Sequence, residues 1–309
     1  MKSKYGIPHK NGPCMEITTM IGCPLMCTFC PQTPLIKNYK NTKDPNKFLT
    51  LENFKIVLNK IPKEARIDFS GMSEPWANPE CSDMYQYALE QGFNVAVYTT
   101  LYKMSEEDIE RVYDLSIKHQ SQIEKFVMHM PDSHNNMRGW KYSKTWERAF
   151  IKFYKMDISN SPAGGVDTMT MDMTAKKFHP DIMHIPEAVM AQGDGRGFQR
   201  FAAHDRAGVL DTKQIKNDQD LSIIRIVKHD KPLTCRSTPF YDRNVLLPNG
   251  DIVLCCMDYA LKHIIGNLLE QTYEEMFQNP QFLELVKMNE TPGFDKCSIC
   301  KSCSNIRYI

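Results

Sequence analysis

Three cysteines within eight residues, Cys23-Pro-Leu-Met-Cys27-Thr-Phe-Cys30, constrain this chain more than any other feature. Gly22 and Pro24 favour a loop there, directly after a short apolar run that reads as a strand. Thiolates separated by three and then two residues can wrap one face of an iron-sulfur cubane. They leave a fourth iron without a protein ligand, which is what an iron must have if it is to bind a small molecule instead of only carrying electrons. A structural zinc site would want four ligands closing a tetrahedron. No histidine or further cysteine lies nearby in the sequence to supply the fourth.

The chain has eleven cysteines in 309 residues. Two further groups follow, Cys235 with Cys255 and Cys256, then Cys297, Cys300 and Cys303, while Cys14 and Cys81 stand alone and read as small buried hydrophobes. Met1 to Lys10 is polar, without the apolar stretch of a signal peptide, and no later segment approaches the roughly 18 apolar residues of a membrane span. The expectation is a cytoplasmic protein with no membrane partner. Thiols stay reduced there, so metal or cluster ligation is expected in place of disulfides. Lysine and arginine total 38 against 37 acidic residues, a net charge of +1. That balance offers no footprint for nucleic acid and suits a small, locally recognised substrate.

From Met15 to about Met173 short apolar runs alternate with amphipathic stretches, the pattern of strand-helix units around a parallel sheet. Strands are expected at 15–18, 66–70, 94–99, 125–130 and 168–173, and a sixth around 198–203. Helices are expected at 51–60 and 105–118, with Thr50 and Ser105 as N-caps. Residues 159–165 have turn composition, and the glycine-rich stretch 193–197 reads as a turn, since it lacks the lysine and hydroxyl of a phosphate-binding loop. Beyond Asp211 the texture changes. A charged stretch leads into 221–227, then a hairpin of 244–247 and 251–254 turns at Pro248-Asn249-Gly250. Helices at 272–278 and 280–288 precede the cysteine-rich tail.

The C-x3-C-x-aromatic-C loop after a first strand resembles the signature of the radical S-adenosylmethionine superfamily. The resemblance implies an α/β fold, a partial (β/α)6 TIM-like barrel over residues 1–211, with a small C-terminal iron-sulfur cluster-binding domain over 212–309. It implies that Cys23, Cys27 and Cys30 hold a 4Fe-4S cluster whose open iron chelates S-adenosyl-L-methionine, and that Phe29 lies beside the adenine. Gly71-Met72-Ser73-Glu74-Pro75, at the end of the second strand, stands where that family has a Gly-Gly-Glu-Pro type motif for the methionine ammonium; Ser73 departs from the usual glycine. Thr99 and Thr100 at the third strand end and Ser133 after the fourth fall where relatives contact the cofactor.

The second cysteine set, with Gly250 four residues before Leu254-Cys255 on a hairpin, is similar to the extension called SPASM, or its shorter form Twitch, which holds auxiliary 4Fe-4S clusters. After the hairpin only three cysteines remain, enough for one fully ligated cluster. Cys235, Cys255 and two of Cys297, Cys300 and Cys303 are the expected ligands. Cys256, adjoining one of them, should point to the opposite face. A zinc ribbon is the alternative for this half.

The implied reaction is hydrogen abstraction by a 5'-deoxyadenosyl radical, with an external donor such as flavodoxin or ferredoxin supplying the electron. About twenty residues precede Cys23, short for the leader-binding domain common among peptide-modifying maturases. The expected substrate is therefore a small hydroxylated molecule, a sugar, cyclitol or nucleotide sugar, oxidised as aminocyclitol dehydrogenases oxidise a ring alcohol. Peptide modification is one alternative, and a non-catalytic zinc or electron-transfer protein another. His204, Asp205 and Arg206, near the last barrel strand, are candidates for base and substrate anchoring, with His129 and Asp132 in reserve.

Overall fold

A computed structural model describes residues 12–170, 177–193, 199–200, 206–211, 213, 227–293 and 298–309. Five strands carry the alternation read from the sequence: β1 Cys14–Ile17, β2 Arg66–Phe69, β3 Val95–Thr99, β4 Ile123–His129 and β5 Asp167–Thr170. A short β6, Gln199–Arg200, follows. Each pairs in parallel with the next, so the order in space is the order in sequence. Helices α1 Gln32–Tyr39, α2 Leu51–Leu58, α3 Cys81–Glu90, α4 Glu106–Lys118, α5 Lys144–Tyr154 and α6 Pro186–Gly193 fill the crossovers. Thr50 caps α2, and Ser105 forms a reciprocal capping box with Asp108 at α4, two orphan donors satisfied at once.

Strand alternation decides which side faces what. Met15, Ile17, Ile67, Phe69, Val95, Val97, Phe126 and Met128, all at most 1% exposed, belong to one core with the helix residues Phe54, Met84, Val112 and Phe150. The alternate positions Glu16, Asp68, Tyr98 and His129 must then face the barrel interior. Parallel sheets normally read as continuous apolar runs because both faces are dry. Here the inner face is polar.

The C-terminal part comprises β7 Leu233–Cys235, β8 Arg243–Leu246, β9 Asp251–Val253, β10 Ile264–Asn267, α7 Tyr273–Met276, α8 Pro280–Glu290 and β11 Ile306–Tyr308. The expected hairpin is β8–β9, closed by Leu247 and Asp251, with Gly250 at φ +86. It does not stand apart. β8 lies parallel to β1, so β10, β9 and β8 extend the barrel sheet beyond β1, and a division of the chain at Asp211 crosses a continuous hydrogen-bonded sheet. Short β7 and β11 pair separately, aligning Cys235 with Ile306. The expected strand segment 171–173, the glycine-rich residues 194–197 and the apolar run 221–226 lie outside the described residues.

Asn244, fully buried on β8, donates through Nδ2 to Tyr241 O at 2.9 Å and to Leu254 O at 2.8 Å. It ties the left-handed Tyr241, at φ +56, to the residue preceding Cys255. Replacement Asn244→Ala should leave both carbonyls buried without that donor and lower stability by about 2 kcal/mol, seen as a lower urea midpoint at unchanged slope.

Candidate functional site

The loop after β1 is held in place by distant backbone. Thr28 N–H donates to Asn136 O at 2.9 Å and its hydroxyl to Asn136 Oδ1 at 2.8 Å. Gly139 N–H donates to Leu25 O at 2.7 Å, and a Cβ on Gly139 would sit 2.0 Å from Pro24 O; only glycine fits that approach. Gln32 joins the loop to the end of β2, accepting from Cys23 N–H and donating to Met72 O at 2.8 Å. Asn136 and Gly139 carry no sequence signal of this role, because the contact exists only once the chain has folded.

Cys23, Cys27 and Cys30 line one cavity together with Phe29, Gly71, Met72, Ser73 and Glu74. Glu74, 3% exposed, accepts from Thr99 Oγ1 at 2.5 Å and from both the N–H and hydroxyl of Thr100 at 2.7 Å. Burial pushes its carboxyl up to about 7, against the lowering effect of the Thr100 and Thr99 bonds. Its own N–H donates to Cys23 Sγ at 3.4 Å. At Gly71, φ +58, a Cβ would meet Thr18 Oγ1 at 2.5 Å, so backbone packs there where a side chain could not. Thr100 lines the cavity, whereas Thr99 reaches it through Glu74. Ser133 is not among the lining residues; its N–H donates to Lys177 O.

Arg206, His129, Tyr98 and Tyr259 complete the wall. Arg206 is 8% exposed and donates to Cys256 O at 3.0 Å. His129, distant from the cysteines in sequence, is thus a histidine beside them after all, and burial, helped by Arg206, lowers it to about 4. Asp132 is engaged elsewhere, its Oδ1 accepting from the His134 and Asn136 N–H groups. His204 and Asp205 lie outside the described residues.

A second cavity gathers Cys235, Cys255, Cys300 and Cys303. Cys235 is brought in by the β7–β11 pair. The tail loop is fixed by Lys301, fully buried, whose Nζ donates to Lys231 O at 3.0 Å and Thr291 O at 2.9 Å. Asn305 N–H donates to Cys303 Sγ at 3.3 Å. Cys297 lies outside the described residues. Cys256 lines this cavity too and bonds Glu16, a carboxyl raised to about 7 by burial and by Asp68. Both isolated cysteines, Cys14 and Cys81, are buried.

Three thiols border the first cavity and five the second, donors whose chemistry suits iron-sulfur clusters, although among the described residues no group of three His, Cys, Asp or Glu side chains is gathered closely enough to hold a single metal ion. Burial pushes the Cys23 and Cys300 thiols up to about 12. Neutral thiols are the stable form without a cationic core, and binding one would release their protons.

Residues 214–304 match the family model SPASM, an iron-sulfur cluster-binding domain. No curated protein matches the chain. Among solved structures, BtrN in complex with AdoMet and 2-DOIA is similar at 15% identity, covering 96% of this chain and 95% of that one, with a TM-score of 0.56. Native anSMEcpe with bound AdoMet and Cp18Cys peptide is similar at 13% identity, covering 90% and 83%, with a TM-score of 0.52. At these identities the likeness is one of fold.

The low proton affinity of His129 sets a pH test. Its folded value lies below the ordinary 6.5, so its contribution to stability is present above pH 6.5 and is lost as pH falls towards 4. Wild-type protein should lose stability relative to His129→Gln across that window, by on the order of 3 kcal/mol. Parallel urea titrations at pH 7 and pH 4 read the difference; a constant gap would mean that the histidine protonates freely in the folded state.

Proposed function

We propose that this chain, a protein of the radical S-adenosylmethionine fold with a SPASM-type iron-sulfur domain, cleaves S-adenosylmethionine reductively and oxidises a small hydroxylated substrate. The observation that carries the reading is the placement of Cys23, Cys27 and Cys30 on one cavity wall with buried Glu74, while five other thiols, Cys235, Cys255, Cys256, Cys300 and Cys303, line a second cavity.

Cys23, Cys27 and Cys30 would hold a 4Fe-4S cluster, which with an electron from an external donor such as flavodoxin or ferredoxin would supply the reductive chemistry that cleaves S-adenosylmethionine to a hydrogen-abstracting 5'-deoxyadenosyl radical. Glu74 has three donors from Thr99 and Thr100 and, among the described residues, no ion-pair partner, so it would receive the ammonium of the methionine moiety. The close backbone at Gly71 and the ring of Phe29 bound the same ligand. Cys235, Cys255, Cys300 and Cys303 would hold the auxiliary cluster.

Oxidation of an alcohol removes a hydrogen atom from carbon, a proton from oxygen and one electron. A cluster held by Cys235, Cys255, Cys300 and Cys303 would supply the acceptor for that electron. The proton would need a base within reach of the substrate hydroxyl; Glu16, raised to about 7 by burial and then by Asp68, stands in the wall of the second cavity. His129, Tyr98 and Arg206 give the substrate space a polar wall. The BtrN structure, with 2-DOIA bound and nearly equal coverage of both chains, favours a small molecule. The peptide-bound anSMEcpe structure makes peptide modification the second reading.

After anaerobic reconstitution, iron should reach about eight per chain, two cubanes. Under strong reductant the protein should form 5'-deoxyadenosine, and Cys27→Ala should reduce this to background. Cys255→Ala should lose about four irons and all substrate turnover while still forming some uncoupled 5'-deoxyadenosine. Full cleavage in Cys27→Ala would refute the assignment of the N-terminal ligands. Product at the wild-type rate in Cys255→Ala would remove the auxiliary cluster from electron transfer.

A further inference from the structure

The loop that follows Cys255 reaches from one cavity to the other. Cys255 lines the second; four residues on, Tyr259 lines the first. Tyr259 is 2% exposed, and its O–H donates to Cys30 Sγ at 3.6 Å. Sulfur is large and diffuse, so its hydrogen bonds are long, and among the described residues this is the side-chain donor that reaches Cys30 from the C-terminal half of the chain.

The position of the phenol is over-determined. Asp258, fully buried, accepts from the N–H groups of Lys262 at 3.0 Å and His263 at 2.7 Å, and its own N–H donates to Cys255 O at 3.0 Å. On the other side Asn38 Nδ2 donates to Ala260 O at 2.7 Å. Asn38 belongs to α1, which begins two residues after Cys30, so donor and acceptor are tied to one rigid frame. The Arg206 guanidinium lies 5.1 Å from the Tyr259 ring centre, a cation-π contact that fixes the ring from the barrel side.

We infer that Tyr259 is a positioning residue for Cys30, hydrogen-bonding the sulfur that would ligate the N-terminal cluster and so joining that sulfur to the loop carrying Cys255. The inference rests on the proposal that Cys23, Cys27 and Cys30 hold a 4Fe-4S cluster. Hydrogen bonds to ligating sulfur draw electron density off it and stabilise the reduced, more negative cluster, which raises the reduction potential. A cluster that must be reduced before it can react gains from such a bond.

The test is an anaerobic redox titration of the reconstituted full chain, followed by electron paramagnetic resonance at the cluster whose reduced signal changes when S-adenosylmethionine is added. Tyr259→Phe should shift that midpoint to more negative potential. Replacement of Tyr259 by 3-fluorotyrosine, which keeps the ring and makes the O–H a stronger donor, should shift it to more positive potential. Should the phenylalanine variant not retain its clusters, the fluorinated protein decides alone: a positive shift supports the inference and an unchanged midpoint overturns it. Iron counts separate the two levels of the argument. A full complement of iron with an unmoved midpoint sinks the role of Tyr259 and leaves the proposed function standing. Wild-type protein with no cluster at Cys23, Cys27 and Cys30 sinks both.

Discussion

The parallel ladder between β1 and β8 is the contact on which the rest depends. It pairs Cys14–Ile17 with Arg243–Leu246, and its flanking bonds, Cys14 N–H to Asp242 O and Thr18 N–H to Leu246 O, are both 2.9 Å. β1 ends in the cysteine loop and β8 begins the hairpin that delivers Cys255. One ladder therefore sets the distance between the two thiol clusters. It also makes Glu16 of β1 a wall of the second cavity. Backbone bonds suit this task, since their spacing is fixed by covalent geometry and not by side-chain choice.

The polar barrel interior carries an energetic burden that the outer core offsets. Arg66 is bound bidentately by Asp68, at 2.6 and 2.8 Å, and reaches Glu124 at 3.0 Å. Buried charges of this kind break even only when well paired. Among the described residues neither Glu16 nor Glu74 forms an ion pair of this kind, and burial makes both hold protons more tightly, for Glu16 in spite of the nearby Arg243 and Arg206. The same desolvation that weakens these groups as structural elements tunes them for ligand or proton binding. Stability comes from the other side of the sheet, where apolar strand residues pack against the helices.

Between the cavities lies a short physical path. Arg206 touches the first cavity and bonds Cys256 O; Cys256 touches the second and bonds Glu16. Tyr259 adds a second link through Cys30. The segments that form this path come from opposite ends of the chain, so the two sites are built as one unit although their cysteines are more than two hundred residues apart.

Features fixed by neighbouring residues were legible along the chain. The alternation of short apolar runs with amphipathic stretches placed β1 to β4 within two residues and the start of β5 within one. Thr50 and Ser105 marked helix starts, Asn249-Gly250 marked the hairpin, and the Cys23 to Cys30 spacing marked a three-thiol loop. Glu74 was reached through the motif after β2. Long-range packing brings Cys300 and Cys303 to one cavity with Cys235 and Cys255, sets β8 beside β1, and puts His129, Tyr259 and Glu16 at the borders of the cavities. It also placed Asn136 and Gly139 under the cysteine loop. Each of these is a contact between residues far apart in the chain. Local propensity and spacing carry no information about such pairs, because their closure entropy is offset only when the whole sheet and its packed helices form together.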